Sequence, residues 1–283
     1  MQERILRLLQ SFFEEDYGRG DVTTEALISK DMQAEGQIVA KDDGIIAGLE
    51  EVLAFMAYHG LKVEEKTRDG GKISDGQVVA KVTGNARKML ALERVCLNLL
   101  GHLSGVATAT ARAVSIAGRA RKEVRVAATR KTTPGFRLLE KKAIELGGGD
   151  PHRLDLQDMV LIKNNHIALA GSVKKAMTLA KKRVSFSKKI EIEVSNMQDA
   201  IEASRAGADV IMLDNMRPAE IRNVVNELKK PGLRNVLIEA SGGVNLDNLA
   251  EYAKTGVDIV SMGMLTHSVR CIDFSMRIKP MKS

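Results

Sequence analysis

The sequence predicts an α/β protein in which an incomplete (open) α/β barrel follows a smaller antiparallel sheet. Three observations lead there. After residue 120 of the 283, short apolar runs rich in β-branched residues alternate with amphipathic helical stretches. Strands that are apolar throughout belong in a parallel sheet covered on both faces. No G-x-G-x-x-G follows the first run, so a dinucleotide-binding sheet has no support. Six such strands can be counted, fewer than the roughly eight of a closed barrel.

Taken in order, "MQERILRLLQSFFEED" carries charges throughout and reads as an amphipathic helix, not a signal peptide. Next, "EGQIVAKDDG", "LKVEEKTRDGG" and "DGQVVAKVTG" alternate apolar and polar positions between Asp-Gly turns, the mark of antiparallel strands. In "ARKMLALERVCLNLLGHLSGVATATARAVSIAG" apolar residues recur every three or four positions, which predicts a helix, with Gly101 and Gly105 as its expected breaks. The chain divides near residue 105: residues 1–105 form the first domain and 106–267 the barrel. The barrel strands are "VRVAA", "MVLI", "IEIEV", "VIML", "VLIEA" and "IVSM". Between them lie the helical patterns "GSVKKAMTLAKKR", "NMQDAIEASRAG", "RPAEIRNVVNELKK" and "NLDNLAEYAKTG".

Composition bounds the function. No stretch approaches the roughly 18 apolar residues of a membrane span, and two distant cysteines suggest neither a disulfide framework nor a zinc knuckle. A cytoplasmic protein without a membrane partner is expected. The formal charge of +7 suits nucleic acid or small polyanions, but aromatics make up only 3% and Trp is absent. Single-strand binders need stacking aromatics, so no nucleic-acid partner is expected.

The residues after each strand carry the chemistry. The first run ends in Thr129-Arg130-Lys131, the second in Lys163-Asn164-Asn165-His166. The third contains Glu193 and the fourth ends in Asp214-Asn215. The fifth leads into Ser241-Gly242-Gly243, and the sixth, through Ser261, into Gly263. A barrel brings all these ends to one face, where active sites lie. Arg130, Lys131, His152, Arg153 and Lys163 would repel one another there unless a polyanion joined them. Arginine grips carboxylate or phosphate with a bidentate fork, and lysine adds a compact charge. Ser241-Gly242-Gly243, just ahead of the pattern "NLDNLAEYAK", reads as a phosphate-binding turn at a helix N-terminus, with Gly263 beside it. Glu193 and Asp214 would hold ribose hydroxyls or a metal, or face a carbon turning positive. His166 reads as rim packing, and His267 as a phosphate contact or a cap.

Several segments together resemble one family. "EDYGRGDVTTEAL", "LERVCLNLLGHLSGVAT", "ATRKTTPGFRLLEKKA", "GGGDPHRLDLQD", "VLIKNNHI", "EIEV", "IMLDNM", "EASGGV" and "LTHS" stand in the order found in the quinolinate phosphoribosyltransferases. The resemblance covers almost the whole chain. It implies an N-terminal α/β sandwich that the last segment, about 268–283, rejoins, and a homodimer or a higher oligomer built from dimers. The implied reaction joins quinolinate to phosphoribosyl pyrophosphate, releasing pyrophosphate and carbon dioxide. By the same resemblance Arg130, His152 and Arg153 hold the quinolinate carboxylates, and Lys131 and Lys163 lie between quinolinate and the sugar phosphates. Arg94 reaches the neighbouring subunit's site. Glu193 and Asp214 stand near the ribose and its Mg²⁺, directly or through water or substrate. Ser241, Gly242, Gly243, Ser261, Gly263 and His267 form the phosphate cradle, with Thr129 beside Arg130.

Three positions depart from the family pattern. Pro151 precedes the His-Arg pair, Asn164 replaces the usual Asp after Lys163, and "ERVC" lacks the usual Thr. Other readings are a paralogous transferase with a different acceptor (the molybdenum-associated branch), a barrel aldolase or lyase with Lys131 or Lys163 as imine-forming amine, and a nucleic-acid-binding protein.

Overall fold

The computed structural model describes residues 2–230, 233 and 236–281; residues 1, 282 and 283 of the two predicted terminal ranges lie outside them. In chain order, the first half contains α1 (Gln2–Tyr17), α2 (Val22–Leu27), β1 (Gln33–Ala40), β2 (Gly44–Ile45), α3 (Leu49–Tyr58), β3 (Lys62–Glu65), β4 (Lys72–Ile73), β5 (Val78–Asn85) and α4 (Ala86–Ala120). After it come β6 (Arg125–Ala127), α5 (Arg137–Leu146), β7 (Val160–Ile162), α6 (Asn164–Ala170), α7 (Val173–Arg183), β8 (Ile190–Val194) and α8 (Met197–Arg205). The chain finishes with β9 (Val210–Asp214), α9 (Pro218–Leu228), β10 (Leu237–Ser241), α10 (Leu249–Ala253), β11 (Ile259–Ser261), α11 (Met264–His267) and β12 (Phe274–Pro280). These form two compact units.

Unit one comprises residues 1–109, 134–147 and 269–283. Its sheet runs β12-β1-β5-β3, antiparallel throughout. On β1 the residues Ala34, Gly36, Ile38 and Ala40 are buried while those between them are less so up to Gln37, the period-two signal that named the strand. Gly36 lets α4 lie close, since a Cβ there would stand 2.6 Å from the Met89 sulfur. The division read at residue 105 leaves 134–147 with the barrel, but the structure places them in unit one. There α5 buries Leu139, Ala143 and Ile144, Phe136 stacks on Phe12 at 5.0 Å between ring centroids, and Glu140 meets His102 at 2.8 Å.

The expected break in α4 is absent: the helix is continuous for 35 residues. Gly101 and Gly105 serve close approach instead. A Cβ on Gly101 would fall 2.7 Å from the Ile272 carbonyl oxygen, and one on Gly105 would collide with that of Arg270. The Ile272 N–H donates to the Gly101 carbonyl at 3.0 Å.

Unit two comprises residues 110–133 and 148–268. Its six parallel strands run β6-β11-β10-β9-β8-β7. The first strand in sequence therefore lies beside the last, as in a barrel, whereas a doubly wound sheet reverses its order midway. β6 and β7 do not pair, so the barrel is open there. All five residues of β8 are buried, Glu191 and Glu193 among them. Among the described residues no helix is long and apolar enough to cross a membrane.

Candidate active site

The C-terminal ends of the six strands surround one cleft of about 640 Å³. Its lining includes Thr129, Arg130, Lys131, His152, Arg153, Lys163, Glu193, Asp214, Ser241, Gly242, Gly243, Ser261, Gly263 and His267. Arg94 is outside it, exposed on α4 in unit one.

Each strand end is held by local chemistry. The Thr129 hydroxyl accepts the Lys131 N–H at 3.1 Å, which turns the chain after β6. Thr266 on α11 donates to the Lys131 carbonyl at 2.7 Å and ties that turn to the last strand's loop. After β7, Lys163 reaches Glu193 at 3.0 Å, and Asn164 donates to the other oxygen of the same carboxylate at 3.2 Å. An Asp at 164 would repel Glu193; Asn orients it instead. His166, read as rim packing, accepts the Lys163 N–H at 2.9 Å and caps α6. Gly242 is required: its φ is +90°, and a Cβ there would collide with Asn215. The expected helix after this turn begins only at Leu249, so the turn is not itself the helix N-terminus. His267 Nδ1 lies 2.6 Å from the Ser268 hydroxyl.

The charges are unevenly matched. Arg153 is buried, and burial together with the charge of Arg130 lowers its pKa. Arg130 Nε is buried without a hydrogen-bond partner. Burial and the nearby Glu193 raise the pKa of Asp214, which accepts from the Asn215 amide at 2.7 Å. Glu193 and Asp214 thus stand close on neighbouring strands and offer hard oxygens of the kind Mg²⁺ takes.

Sequence reasoning passed over two buried carboxylates: Glu239, which lines the cleft, and Glu191, which does not. Glu191 and Glu239 are fully buried inside β8 and β10. Each places one oxygen 3.3 Å from His152 Nε2, and the three ligand atoms lie within 4.8 Å of one another. The available signal was a carboxylate inside a buried strand: Glu239 within the otherwise apolar "VLIEA", and Glu191 beside Glu193 in "IEIEV". Burial lowers the imidazole pKa, but the two carboxylates outweigh it and raise it overall. His152 itself has φ +53°, its N–H donating to Asp150 at 2.7 Å.

An open parallel barrel whose mouth gathers cations, two carboxylates and a glycine turn defines an enzyme for polyanionic substrates. The sequence comparisons name the family within that class. The model described as "Quinolinate phosphoribosyl transferase, N-terminal domain" matches residues 21–104, and that for the C-terminal domain matches 106–277. The chain belongs to the quinolinate phosphoribosyl transferase family. It is 45% identical to a probable nicotinate-nucleotide pyrophosphorylase (carboxylating) of Methanocaldococcus jannaschii, over 98% of each chain. It is 40% identical to the human nicotinate-nucleotide pyrophosphorylase (carboxylating), over 89% of this chain and 85% of that one. The crystal structure of NadC from Streptococcus pyogenes superposes with a TM-score of 0.92 at 35% identity, covering 100% of this chain and 99% of that one.

Proposed function

We propose that this chain transfers the phosphoribosyl group of phosphoribosyl pyrophosphate to quinolinate and decarboxylates the product to nicotinate mononucleotide. The observation that carries the reading is the convergence of Arg130, Lys131, Arg153 and Lys163 from separate chain segments on one cleft. Quinolinate is a dianion and its co-substrate carries several more charges, so the ligands bring negative charge to a cleft rich in cations. Arg130 and Arg153 suit the two carboxylates of the acceptor. Lys131 and Lys163 suit the space between the acceptor and the sugar phosphates, and Gly242, Gly243 and Gly263 allow the backbone to approach phosphate.

In the reaction, pyrophosphate leaves the ribose carbon, and the pyridine nitrogen forms the new bond to it. Glu193 and Asp214 face the carbon that becomes positive as the leaving group departs. The resulting pyridinium stabilises the carbanion left when the adjacent carboxylate departs as carbon dioxide, and a proton takes its place. The protein supplies no nucleophile; positioning and charge suffice. Glu193 and Asp214, directly or through water or substrate, would hold a magnesium ion that neutralises the departing pyrophosphate. A dimer in which Arg94 serves the neighbouring cleft fits that residue's exposure on α4. A reducing cytoplasm fits the two unpaired cysteines, Cys96 and Cys271. An imine-forming lysine needs a desolvated neutral amine, whereas the Lys163 side chain is 50% exposed and paired with Glu193.

The test is incubation with quinolinate, phosphoribosyl pyrophosphate and Mg²⁺ while pyrophosphate and carbon dioxide are followed, with nicotinate as a parallel acceptor. Equal release of both products from quinolinate alone is expected. Turnover of nicotinate but not quinolinate would sink the acceptor assignment.

A further inference from the structure

We propose that Glu239 and Glu191 are positioning residues of the acceptor site, acting through His152 to hold Arg153 at the cleft floor. This rests on the functional reading above and assigns work to two side chains that reading leaves idle.

Both carboxylates are fully buried, on strands β10 and β8. A buried carboxylate is costly unless something compensates it. One oxygen of each lies 3.3 Å from the same atom, His152 Nε2; the Glu239 contact is a hydrogen bond, whereas Glu239 Oε1 and both Glu191 oxygens have no hydrogen-bond partner. One imidazole is therefore their shared counterpart. Its other nitrogen is also engaged: Nδ1 lies 2.7 Å from the Arg153 backbone nitrogen, while Nε2 faces the carboxylates. The ring thus spans from the barrel interior to the backbone of Arg153. His152 occupies the left-handed region at φ +53°, a conformation that persists only where its surroundings impose it. Arg153 needs such support, because it is buried beside the like charge of Arg130. With the buried carboxylates altered, the His152–Arg153 segment loses its anchor and the acceptor loses a preorganised guanidinium.

Glu239→Gln keeps the volume and an acceptor oxygen but removes the charge. The quinolinate KM should rise about tenfold, the size of one weakened charge-assisted hydrogen bond. The phosphoribosyl pyrophosphate KM and kcat should change less than about threefold, a split that general loosening of the fold would not produce. His152→Asn, chosen because Asn tolerates left-handed backbone, should give a similar rise, and adding Glu239→Gln to it should change little more. Glu191→Gln repeats the test from the other strand should the first variant not fold. An active wild type whose Gln variants keep the quinolinate KM, raise both KM values alike, or act undiminished beside His152→Asn overturns this inference alone. A wild type that turns over no quinolinate overturns the functional reading, and this inference with it.

Discussion

Lys142 in unit one and Arg130 in unit two are both cations held in partly buried surroundings, and they differ in what answers their charge. Lys142 lies 2.7 Å from Glu50, 2.7 Å from Glu51 and 3.8 Å from Asp69. Arg130 has a buried Nε with no partner and stands near the buried cation Arg153. A charge that the protein balances itself serves the fold. One left unbalanced within a cleft is set for a ligand, because only the ligand relieves the desolvation and repulsion.

Substitutions test that contrast. The largest effect belongs to the cleft: Arg130→Ala and Lys163→Ala should each lower kcat/KM by on the order of 10³ or more. Their melting temperatures should stay within a few degrees of the wild type; wild-type turnover in Arg130→Ala would dissolve the contrast, and in Lys163→Ala, whose cation is paired with Glu193, the site assignment. Gly242→Ala should come next. The added Cβ meets Asn215, and φ +90° suits glycine, so stability should fall by about 1–3 kcal/mol in a denaturant titration. The phosphoribosyl pyrophosphate KM should rise with it. Lys142→Ala should show the opposite profile, losing about 2 kcal/mol of stability because Glu51 is left buried without its partner. Assays at a temperature where it is folded should give an unchanged kcat.

The smallest effect is the pH dependence of that last penalty. The Lys142 hydrogen bond holds the Glu50 pKa below the usual 4.5. A carboxylate lowered in the folded state stabilises it above the unfolded value, and that contribution is lost as pH falls through the folded value. The difference in melting temperature between Lys142→Ala and wild type should therefore shrink as the pH is taken below 4.5. A gap that stays constant in acid would show that Lys142 acts by packing.

The legible parts of this molecule were those with a local signal. The "VRVAA", "MVLI" and "VIML" runs announced buried parallel strands, and Arg130-Lys131, Lys163 and Asp214-Asn215 at their ends marked the cleft. Gly101 and Gly105 misled, because a glycine that admits a neighbouring backbone looks in one dimension like a helix breaker. The buried carboxylates were hidden for a similar reason. Glu239 takes its meaning from His152, 87 positions away.

By itself, then, the sequence determined the class of fold, the number of barrel strands and the chemical character of the strand ends. Apolar periodicity and turn residues act over a few neighbours, so a linear reading captures them. Only the tertiary structure decided that α5 belongs with unit one, that α4 runs unbroken, and which charges the protein neutralises for itself. Charge balance and burial are sums over residues brought together from distant segments, and no local pattern contains that sum.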